Sequence, residues 1–315
     1  MSHTGVREVE HEVTVDASAA DVYRMIAEVE NWPRVFPPTI HVDIVERAGA
    51  HERIRIWATA NDQVKSWASR RVLDPAAQRI DFRQEVSAPP VAAMGGAWII
   101  ESLEEGRSRV RLRHDYRAVD DDPEGLAWID RAVDRNSRAE LAALKTNLES
   151  ALATGEDLLV SFEDTVRIKG RGKDVYAFLD EAQLWEERLP HVARVLLEEE
   201  TPGLQVLEMD TRTKDGSLHT TKSIRVCFPH HRIVYKQISL PALMSLHTGF
   251  WRIEEDDDGV AATSQHTVVI DPAGIAAVLG PGASVADAKA FVRNALGNNS
   301  LATLGHATDY AEARA

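Results

Sequence analysis

Three side chains with complementary chemistry occupy alternate positions of one predicted strand. Trp67, Ser69 and Arg71 follow one another at intervals of two residues, and side chains at this spacing share one face of a strand. A flat ring, a hydroxyl and a permanent cation on one face suit a flat, oxygen-rich ligand. Arg71 cannot act as a base at neutral pH, but it can hold carbonyl oxygens or stabilise an enolate. The alternative interpretation is a core tryptophan beside an outward arginine.

A histidine lies on the inner face of a later predicted strand. Val110, Leu112, His114 and Tyr116 alternate with charged residues, so these four side chains share the more apolar face. A histidine in that setting is either a satisfied core residue or an acid/base group in a pocket. The residues alone leave both interpretations open.

A third group of candidates combines ring and amide side chains. Asn136 lies three residues after Val133 on the apolar stripe of a predicted helix, where an amide must find a partner or face a cavity. We interpret Asn136 as lining a pocket, with a partnered core amide as the alternative. Trp32 and Trp98 either line the same pocket or fill the core.

The elements that position these residues run strand, short helix, meander, long helix. Ser18 and Asp21 have capping-box spacing at the start of the short helix, and Asn31-Trp32-Pro33 ends it. An antiparallel sheet curled around the closing helix, predicted over 124–150, would bury the apolar stripe of that helix. Alternation and turn residues predict strands near 8–16, 40–46, 52–59, 64–73, 79–86, 94–103 and 108–118.

The same order occurs twice, at an offset of about 153 residues. Asp21-Val22-Tyr23 returns as Asp174-Val175-Tyr176, and Trp32 returns as Trp185. This period is far longer than that of a repeat array, so it indicates two fused copies of one domain. The predicted domains are 1–152 and 158–315, joined by a linker over 153–156.

The second copy keeps only part of the candidate site. Thr221 replaces Trp67, whereas the other polar positions persist. We therefore expect the N-terminal copy to be the main site. The C-terminal copy would perform a related dehydration, stabilise the pair, or act in turn on the same substrate. The candidate pocket residues of the second copy are Ser223, Arg225, His266 and Asn299.

Composition restricts the classes of function. The net charge of −14 argues against nucleic acid as a general partner. No run of about 18 apolar residues and no signal-peptide core occurs, so we expect neither a membrane span nor secretion. The one cysteine cannot form a disulfide within the chain, which favours the cytoplasm. His230-His231 lacks further ligands at metal-binding spacing, and we expect neither a metal nor another cofactor.

The motifs resemble those of bacterial aromatic polyketide aromatase/cyclases. The resemblance rests on Trp32-Pro-x-x-Phe36, on the run from Trp67 to Arg71, on Trp98 and on the closing helix. Two copies in one chain resemble the didomain members of that family. The resemblance implies an α+β fold of two tandem helix-grip (START/Bet v 1-like) domains. In each domain a curved antiparallel sheet would wrap around a long C-terminal helix and enclose a pocket.

The resemblance also implies an activity and partners. Didomain members close and aromatise the first ring of a poly-β-ketone, commonly one already reduced at one ketone, by a cofactor-free aldol reaction and loss of water. The substrate arrives on an acyl carrier protein, within a type II polyketide synthase. A carrier of acidic character would need arginines near the pocket entrance, and the candidates are Arg53, Arg55, Arg111 and Arg113.

The resemblance assigns roles to the candidate residues. Arg71, His114 and Ser69 would be catalytic, with His114 as the proton-transfer group of a late strand. The rival class is a non-catalytic lipid or polyketide carrier, which needs the apolar walls but no particular polar residues; a scaffold without an open cavity is a third possibility. The substrate-binding set comprises Trp32, Trp67, Gln84, Trp98 and Asn136.

Overall fold

The computed structural model describes residues 5–60, 63–153, 158–212, 216 and 218–315. The chain divides into two compact units, Met1–Asp157 and Leu158–Ala315, which we call the N-terminal and C-terminal domains. The linker predicted over 153–156 lies, apart from Ala153, outside the described residues. The two domain boundaries therefore stay a prediction.

Within the residues that the structure describes, the N-terminal domain contains seven strands and three α-helices. Ser18 caps the first helix by accepting from the Asp21 amide, as the capping-box spacing predicts. The strands are β1 (Arg7–Val15), β2 (Thr39–Ala48), β3 (His51–Ala60), β4 (Gln63–Asp74), β5 (Arg79–Gln84), β6 (Val91–Ser102) and β7 (Ser108–Ala118). The helices are α1 (Ala19–Ala27), α2 (Trp32–Val35) and α3 (Pro123–Ala153).

The C-terminal domain repeats this order and adds one helix. The added helix, Pro272–Leu279, precedes the closing helix, where the offset between the two copies grows from about 153 to 163 residues at Asn136 and Asn299. The strands are β8 (Leu159–Ile168), β9 (Val192–Thr201), β10 (Leu204–Arg212), β11 (Leu218–Phe228), β12 (Arg232–Ser239), β13 (Met244–Asp256) and β14 (Gly259–Ile270). The helices are α4 (Gly172–Asp180), α5 (Trp185–Arg188), α6 (Pro272–Leu279) and α7 (Val285–Glu312).

Each domain holds one antiparallel seven-stranded sheet. The orders are β1-β7-β6-β5-β4-β3-β2 and β8-β14-β13-β12-β11-β10-β9. The first strand of each domain pairs with the last, because the meander returns the chain to its starting edge. The predicted α+β architecture of two tandem sheets, each with a long closing helix, is confirmed. No helix within the described ranges is both long enough and apolar enough to cross a membrane.

The core of the N-terminal domain is divided along α3. Near its start, Ile129 and Val133 pack with Tyr116 and Ala118. Over its second half, α3 packs on α1 and on the central strands through a different cluster. Between Val133 and Leu141, α3 contributes no residue to either of these clusters. That second-half cluster includes Leu141, Leu144 and Leu148 of α3 with Val22, Ile26, Trp98 and Leu112.

One expected boundary differs from the structure. The short helix was predicted to end at Asn31-Trp32-Pro33, but α1 ends at Ala27 and α2 begins at Trp32. Proline is tolerated in the first turn of a helix, where its missing amide would have no partner. Pro33 therefore starts a new turn rather than ending the old one.

Candidate active site

The inner face of β4 carries Trp67, Ser69 and Arg71, as the alternation predicts. Arg71 is 2% exposed and Ser69 is 4% exposed, whereas Arg70 between them is exposed on the outer face. Trp67 is half-buried and packs against an apolar cluster that includes Ile54. The indole, the hydroxyl and the guanidinium therefore all point into the N-terminal domain.

The guanidinium of Arg71 holds the end of α1. Nη1 donates to the Ile26 carbonyl at 3.1 Å, and Nη2 donates to the Ala27 carbonyl at 2.8 Å. Nη2 also forms an ion pair with the buried carboxylate of Glu52. Burial lowers the pKa of Arg71, and the hydrogen bond to Glu52 opposes that shift. Since both Nη atoms bind protein groups, these contacts support a positioning role for Arg71.

Arg71 also fixes Trp32. The guanidinium carbon lies 5.5 Å from the centre of the Trp32 ring, within the range of a cation–π contact. Trp32 Nε1 donates to the Ile26 carbonyl at 2.9 Å, so the ring and the cation share one anchor. Trp32 is half-buried, and its ring meets Phe36 edge to face at 5.5 Å. Trp98, in contrast, is buried in the core beside Phe36.

Ser69 and Gln84 are bound to nearby protein groups. Ser69 Oγ donates to the Arg83 carbonyl at 3.1 Å. Gln84 is half-buried, and its Nε2 lies 3.8 Å from the sulfur of Met94. Ser87 Oγ donates to Gln84 Oε1 at 3.2 Å. An amide–sulfur contact is weak, so Nε2 of Gln84 can still donate to a polar ligand.

His114 lies on the inner face of β7 and is half-buried. Its Nδ1 lies 3.4 Å from Ser137 Oγ on α3, and its ring meets Phe82 at 5.5 Å. Burial lowers the pKa of His114 to about 4, and nearby His11 adds to the effect. The imidazole is therefore neutral at pH 7, which suits a hydrogen-bond donor to a carbonyl oxygen.

Glu140 is a functional candidate that the sequence interpretation missed. It lies three residues after Ser137 and four before Leu144, on the inner side of α3. Its side chain is half-buried and has no hydrogen-bond or ion-pair partner among the described residues. Burial raises the pKa of Glu140 to about 7. A carboxyl group with that pKa can accept and return protons near neutral pH.

A signal for Glu140 was present in the spacing. Asn136 was assigned to the pocket because it follows Val133 by three residues, but Glu140 follows Val133 by seven. The structure leaves the Asn136 side chain exposed, and the neighbouring Ser137 is the buried residue that meets His114. The polar part of the α3 inner face is thus made by Ser137 and Glu140.

From the partial exposure of these inward-pointing side chains we infer a hollow between sheet and helix. Each of its walls belongs to a different apolar cluster: Trp67 borders one, Phe82 a second and Met94 a third. The inward-pointing residues that are only half-buried are Trp32, Trp67, Phe82, Gln84, Met94, His114 and Glu140. Partial exposure of side chains that point inward indicates space beside them.

A concavity of about 580 Å³ is lined mostly by outer-face residues of the same sheet, and also by Phe82 and His114. Its charged side chains are paired with one another: Arg83 with Asp115 at 2.7 Å, and Arg79 with Asp81 at 2.5 Å. Arg70 pairs with Glu85 at 2.9 Å. These groups neutralise each other outside the hollow, so we do not place the chemistry there.

The C-terminal domain keeps Ser223 and Arg225 buried on the inner face of β11. Arg225 donates to the Leu179 carbonyl at 2.5 Å, and its guanidinium lies 5.4 Å from the centre of the Trp185 ring. Gln205 stands where the first domain has Glu52. Arg225 therefore has no carboxylate equivalent to that of Glu52.

His266 is enclosed in a hydrogen-bonded chain. Ser300 Oγ lies 2.7 Å from its Nε2 and donates to the Leu296 carbonyl at 2.6 Å. Nε2 of His266 must then carry the proton, which leaves Nδ1 as the acceptor. Tyr235 Oη and His247 Nε2 lie 2.9 Å and 3.0 Å from that Nδ1.

This chain of residues is buried, which lowers the pKa of His266 to about 4 and of His247 to about 3. Asn299, the candidate in the second copy, is exposed, and its neighbour Ser300 meets the histidine. The same displacement by one residue occurs at Asn136 and Ser137. In both helices, the serine of the Asn-Ser pair faces the histidine.

Three of the four arginines expected near the entrance are neutralised by carboxylates. Arg53 pairs with Glu85 at 2.8 Å, and Arg111 with Glu101 at 2.6 Å. Arg113 lies 3.5 Å from Glu8, and Arg55 donates to Ser66. These arginines alternate with acids along the sheet, so they do not form the basic patch that an acidic carrier would need.

Comparisons with known proteins agree with this architecture. The family profile described as polyketide cyclase / dehydrase and lipid transport matches residues 6–149. The chain is 54% identical over 301 residues to the granaticin polyketide synthase bifunctional cyclase/dehydratase of Streptomyces virginiae, covering 94% of this chain and 97% of the relative. It is 46% identical to the actinorhodin polyketide synthase bifunctional cyclase/dehydratase of Streptomyces coelicolor, covering 98% of each.

A solved structure has the same two-domain organisation. The di-domain ARO/CYC BexL from the BE-7585A biosynthetic pathway is 64% identical, with a TM-score of 0.91, over 97% of this chain and 99% of that one. The chain therefore belongs to the family of di-domain polyketide cyclase/dehydratases, and the resemblance seen in the sequence is confirmed.

Proposed function

We propose that this enzyme closes and dehydrates the first ring of a carrier-tethered poly-β-ketone, one already reduced at one ketone, without a cofactor. The observation that supports this most directly is the position of the half-buried Glu140, which lies on the inner side of α3 one helical turn from Ser137. Ser137 in turn contacts His114 on β7 at 3.4 Å. The domains would span 1–152 and 158–315, in a cytoplasmic protein that works beside other type II synthase components.

Glu140 is the proton-transfer group in this proposal. Its carboxylate takes a proton from a methylene between two carbonyls, and the resulting enolate carbon bonds to a distant carbonyl carbon. The new alkoxide takes the proton back from Glu140. A second methylene proton then passes to Glu140 and on to the hydroxyl, which leaves as water. One C–C bond forms and one water is released, so the protons balance.

His114 would stabilise the oxygen that becomes negative. Its neutral ring has one N–H, and a donor already in place costs no reorganisation when charge develops. Ser137 holds the other side of the ring at 3.4 Å. His114 would therefore act as an electrophile, while the proton transfer expected of it from the resemblance moves to Glu140.

Arg71, Ser69 and the two half-buried tryptophans would shape the hollow. Arg71 fixes Trp32 and the end of α1, and Trp67 forms another wall. A folded polyketide between flat rings brings one methylene near one carbonyl, and such orientation can supply a large part of a rate enhancement. Gln84 would donate from Nε2 to a carbonyl of the chain in place of its weak contact with the Met94 sulfur.

The C-terminal domain would act mainly as support for the pair. Its histidine is enclosed by its own neighbours, and its closing helix has Thr303 in the place of Glu140. Both ring nitrogens of His266 already contact protein groups, so neither is placed to exchange a proton with a substrate.

The test of this proposal is Glu140→Gln in the full chain. Removing the carboxylate should lower the rate of ring closure by about 10²- to 10⁴-fold. Asn136→Ala, one turn earlier on the same helix, is the matched control and should leave the rate within about threefold. Products are compared by chromatography after reaction with a synthase-made, carrier-tethered chain.

The rival function is non-catalytic binding of a polyketide or lipid. That function predicts that Glu140→Gln changes the affinity for a bound aromatic product but leaves the ring pattern intact. Normal regiospecific product from this variant, at the normal rate, would contradict catalysis by Glu140.

A further inference from the structure

We propose that the outer side of α3 docks an acidic carrier protein through Trp128, Arg131 and Arg135, which we call the α3 docking face. This inference rests on the proposed function, because the carrier would deliver the tethered substrate. It adds the surface at which that delivery takes place and assigns that surface to one domain.

The three residues form one continuous patch. They are spaced by three and then four residues, so they share one side of the helix. Both arginines are exposed, and Trp128 is 44% exposed. The buried positions Ile129 and Val133 point the other way, into the core. The patch is therefore presented outward by a helix that is firmly packed on its inner side.

The charge of this patch differs from that of the sheet arginines. Arg131 and Arg135 form no ion pair or hydrogen bond within the described part of the chain. On a protein with a net charge of −14, an acidic partner is repelled by most of the surface. Two unneutralised cations beside an exposed indole offer local attraction and a large apolar contact.

The equivalent face of α7 has lost its cations. Phe291, Asn294 and Asn298 occupy the matching positions, and all three are exposed. The aromatic side chain is retained, whereas both arginines are replaced by neutral amides. An acidic carrier would therefore select the N-terminal domain, which is also the domain that contains Glu140.

The docking face and the candidate site share one helix. Arg135 lies two residues before Ser137, and Glu140 lies five residues after Arg135. At a rise of about 1.5 Å per residue, all three fall within about 8 Å along the helix axis. A carrier on the outer side would be held beside the wall of the hollow that its substrate must enter.

The experiment compares two double variants that change the net charge equally. Arg131→Gln with Arg135→Gln removes two cations from the docking face, and Asn294→Glu with Asn298→Glu adds two anions at the equivalent positions of α7. Binding of a holo acyl carrier protein to each full-length variant is measured by calorimetry at low and raised ionic strength. We expect about tenfold weaker binding for the arginine variant only, and a similar loss for Trp128→Ala.

Turnover separates docking from chemistry. For the arginine variant, KM should rise for the carrier-tethered substrate while kcat/KM for a small untethered thioester stays unchanged. Equal carrier affinity in wild type and arginine variant would overturn the proposal, as would equal losses in both double variants. A change in self-association measured by sedimentation would instead assign the face to a second copy. If the wild-type protein turns over neither substrate, the proposed function is contradicted. The docking face is then still tested by the binding measurement.

Discussion

The two domains share one fold but differ in the side chains that surround the inner histidine. In the N-terminal domain, His114 is half-buried and contacts apolar Phe82, with Glu140 one turn along α3 from its serine partner. In the C-terminal domain, Tyr235 and His247 stand where the first has Phe82 and Met94, and they bond to His266. Apolar neighbours leave a histidine free for a ligand, whereas polar neighbours occupy it.

The buried arginines show a second difference. Arg71 has the carboxylate of Glu52, and Arg225 faces Gln205, whose Nε2 donates to Glu199 at 3.0 Å. One Nη atom of Arg225 has no partner among the described residues. The N-terminal arginine is therefore the more firmly fixed of the two, which matches the domain in which a rigid wall is needed.

The largest expected effect on stability comes from making the first domain resemble the second. Glu52→Gln leaves the buried Arg71 without its carboxylate, and breaking a buried ion pair costs about 3–5 kcal/mol. Thermal unfolding measured by calorimetry should show the lost stability. Glu85→Gln is the control, because Glu85 also bridges two arginines but on the outer face, where about 1 kcal/mol or less is expected. Equal losses in both variants would contradict the special role of Glu52.

Glu140 predicts a dependence of stability on pH. Its pKa is raised in the folded state to about 7, so folding favours the protonated form. The cost of ionising it is absent below the ordinary carboxyl pKa, grows as the pH rises from there to about 7, and is constant above that. Glu140→Gln should therefore raise the thermal stability above pH 7 and lose this advantage near pH 4. The difference in midpoint between variant and wild type across that range is the measurement.

The same group predicts the pH dependence of catalysis. If the carboxylate form of Glu140 takes the first proton, kcat/KM should rise with an apparent pKa of about 7. The rise should be absent in Glu140→Gln. A profile that is flat between pH 6 and 8 in the wild type would contradict the assignment of Glu140 as the base.

The smallest effect concerns the enclosed histidine. Tyr235→Phe removes one of two donors that face Nδ1 of His266, and His247 remains as the other. The loss of stability should be about 1 kcal/mol, with ring closure unchanged. The matched change Phe82→Tyr adds a hydroxyl beside His114 and should slow ring closure by competing for the imidazole. The opposite pattern would reverse the assignment of the two domains.

The fold followed from the sequence because repetition and alternation are local signals. The matched positions at Trp32 and Trp185 identified the copies, and alternation placed Ser69 and Arg71 on the inner face of β4. The partners of Arg71 could not be predicted in this way, because Glu52 and the end of α1 are distant in the chain. The spacing places Glu140 on the apolar stripe of α3, but only the structure shows that its carboxyl group is desolvated.

The same limit explains why the ion pairs of the sheet arginines could not be predicted from the sequence. Arg53, Arg111 and Arg113 resembled a basic patch in the sequence, but neighbouring strands place carboxylates beside them. The asparagines Asn136 and Asn299 were placed one residue away from the serines that meet the histidines. The helical period predicts the buried side of a helix only to within about one residue. The packing in the structure was needed to show that the serine, and not the asparagine, faces the histidine.

The most direct test of the central claim is the rate of first-ring closure in two full-length variants, His114→Ala and His266→Ala. If the N-terminal hollow performs the chemistry, His114→Ala should lower the rate at least a hundredfold, and His266→Ala should leave it within about tenfold. A His266→Ala variant that fails to close the ring, beside a His114→Ala variant that closes it normally, would place the reaction in the other domain.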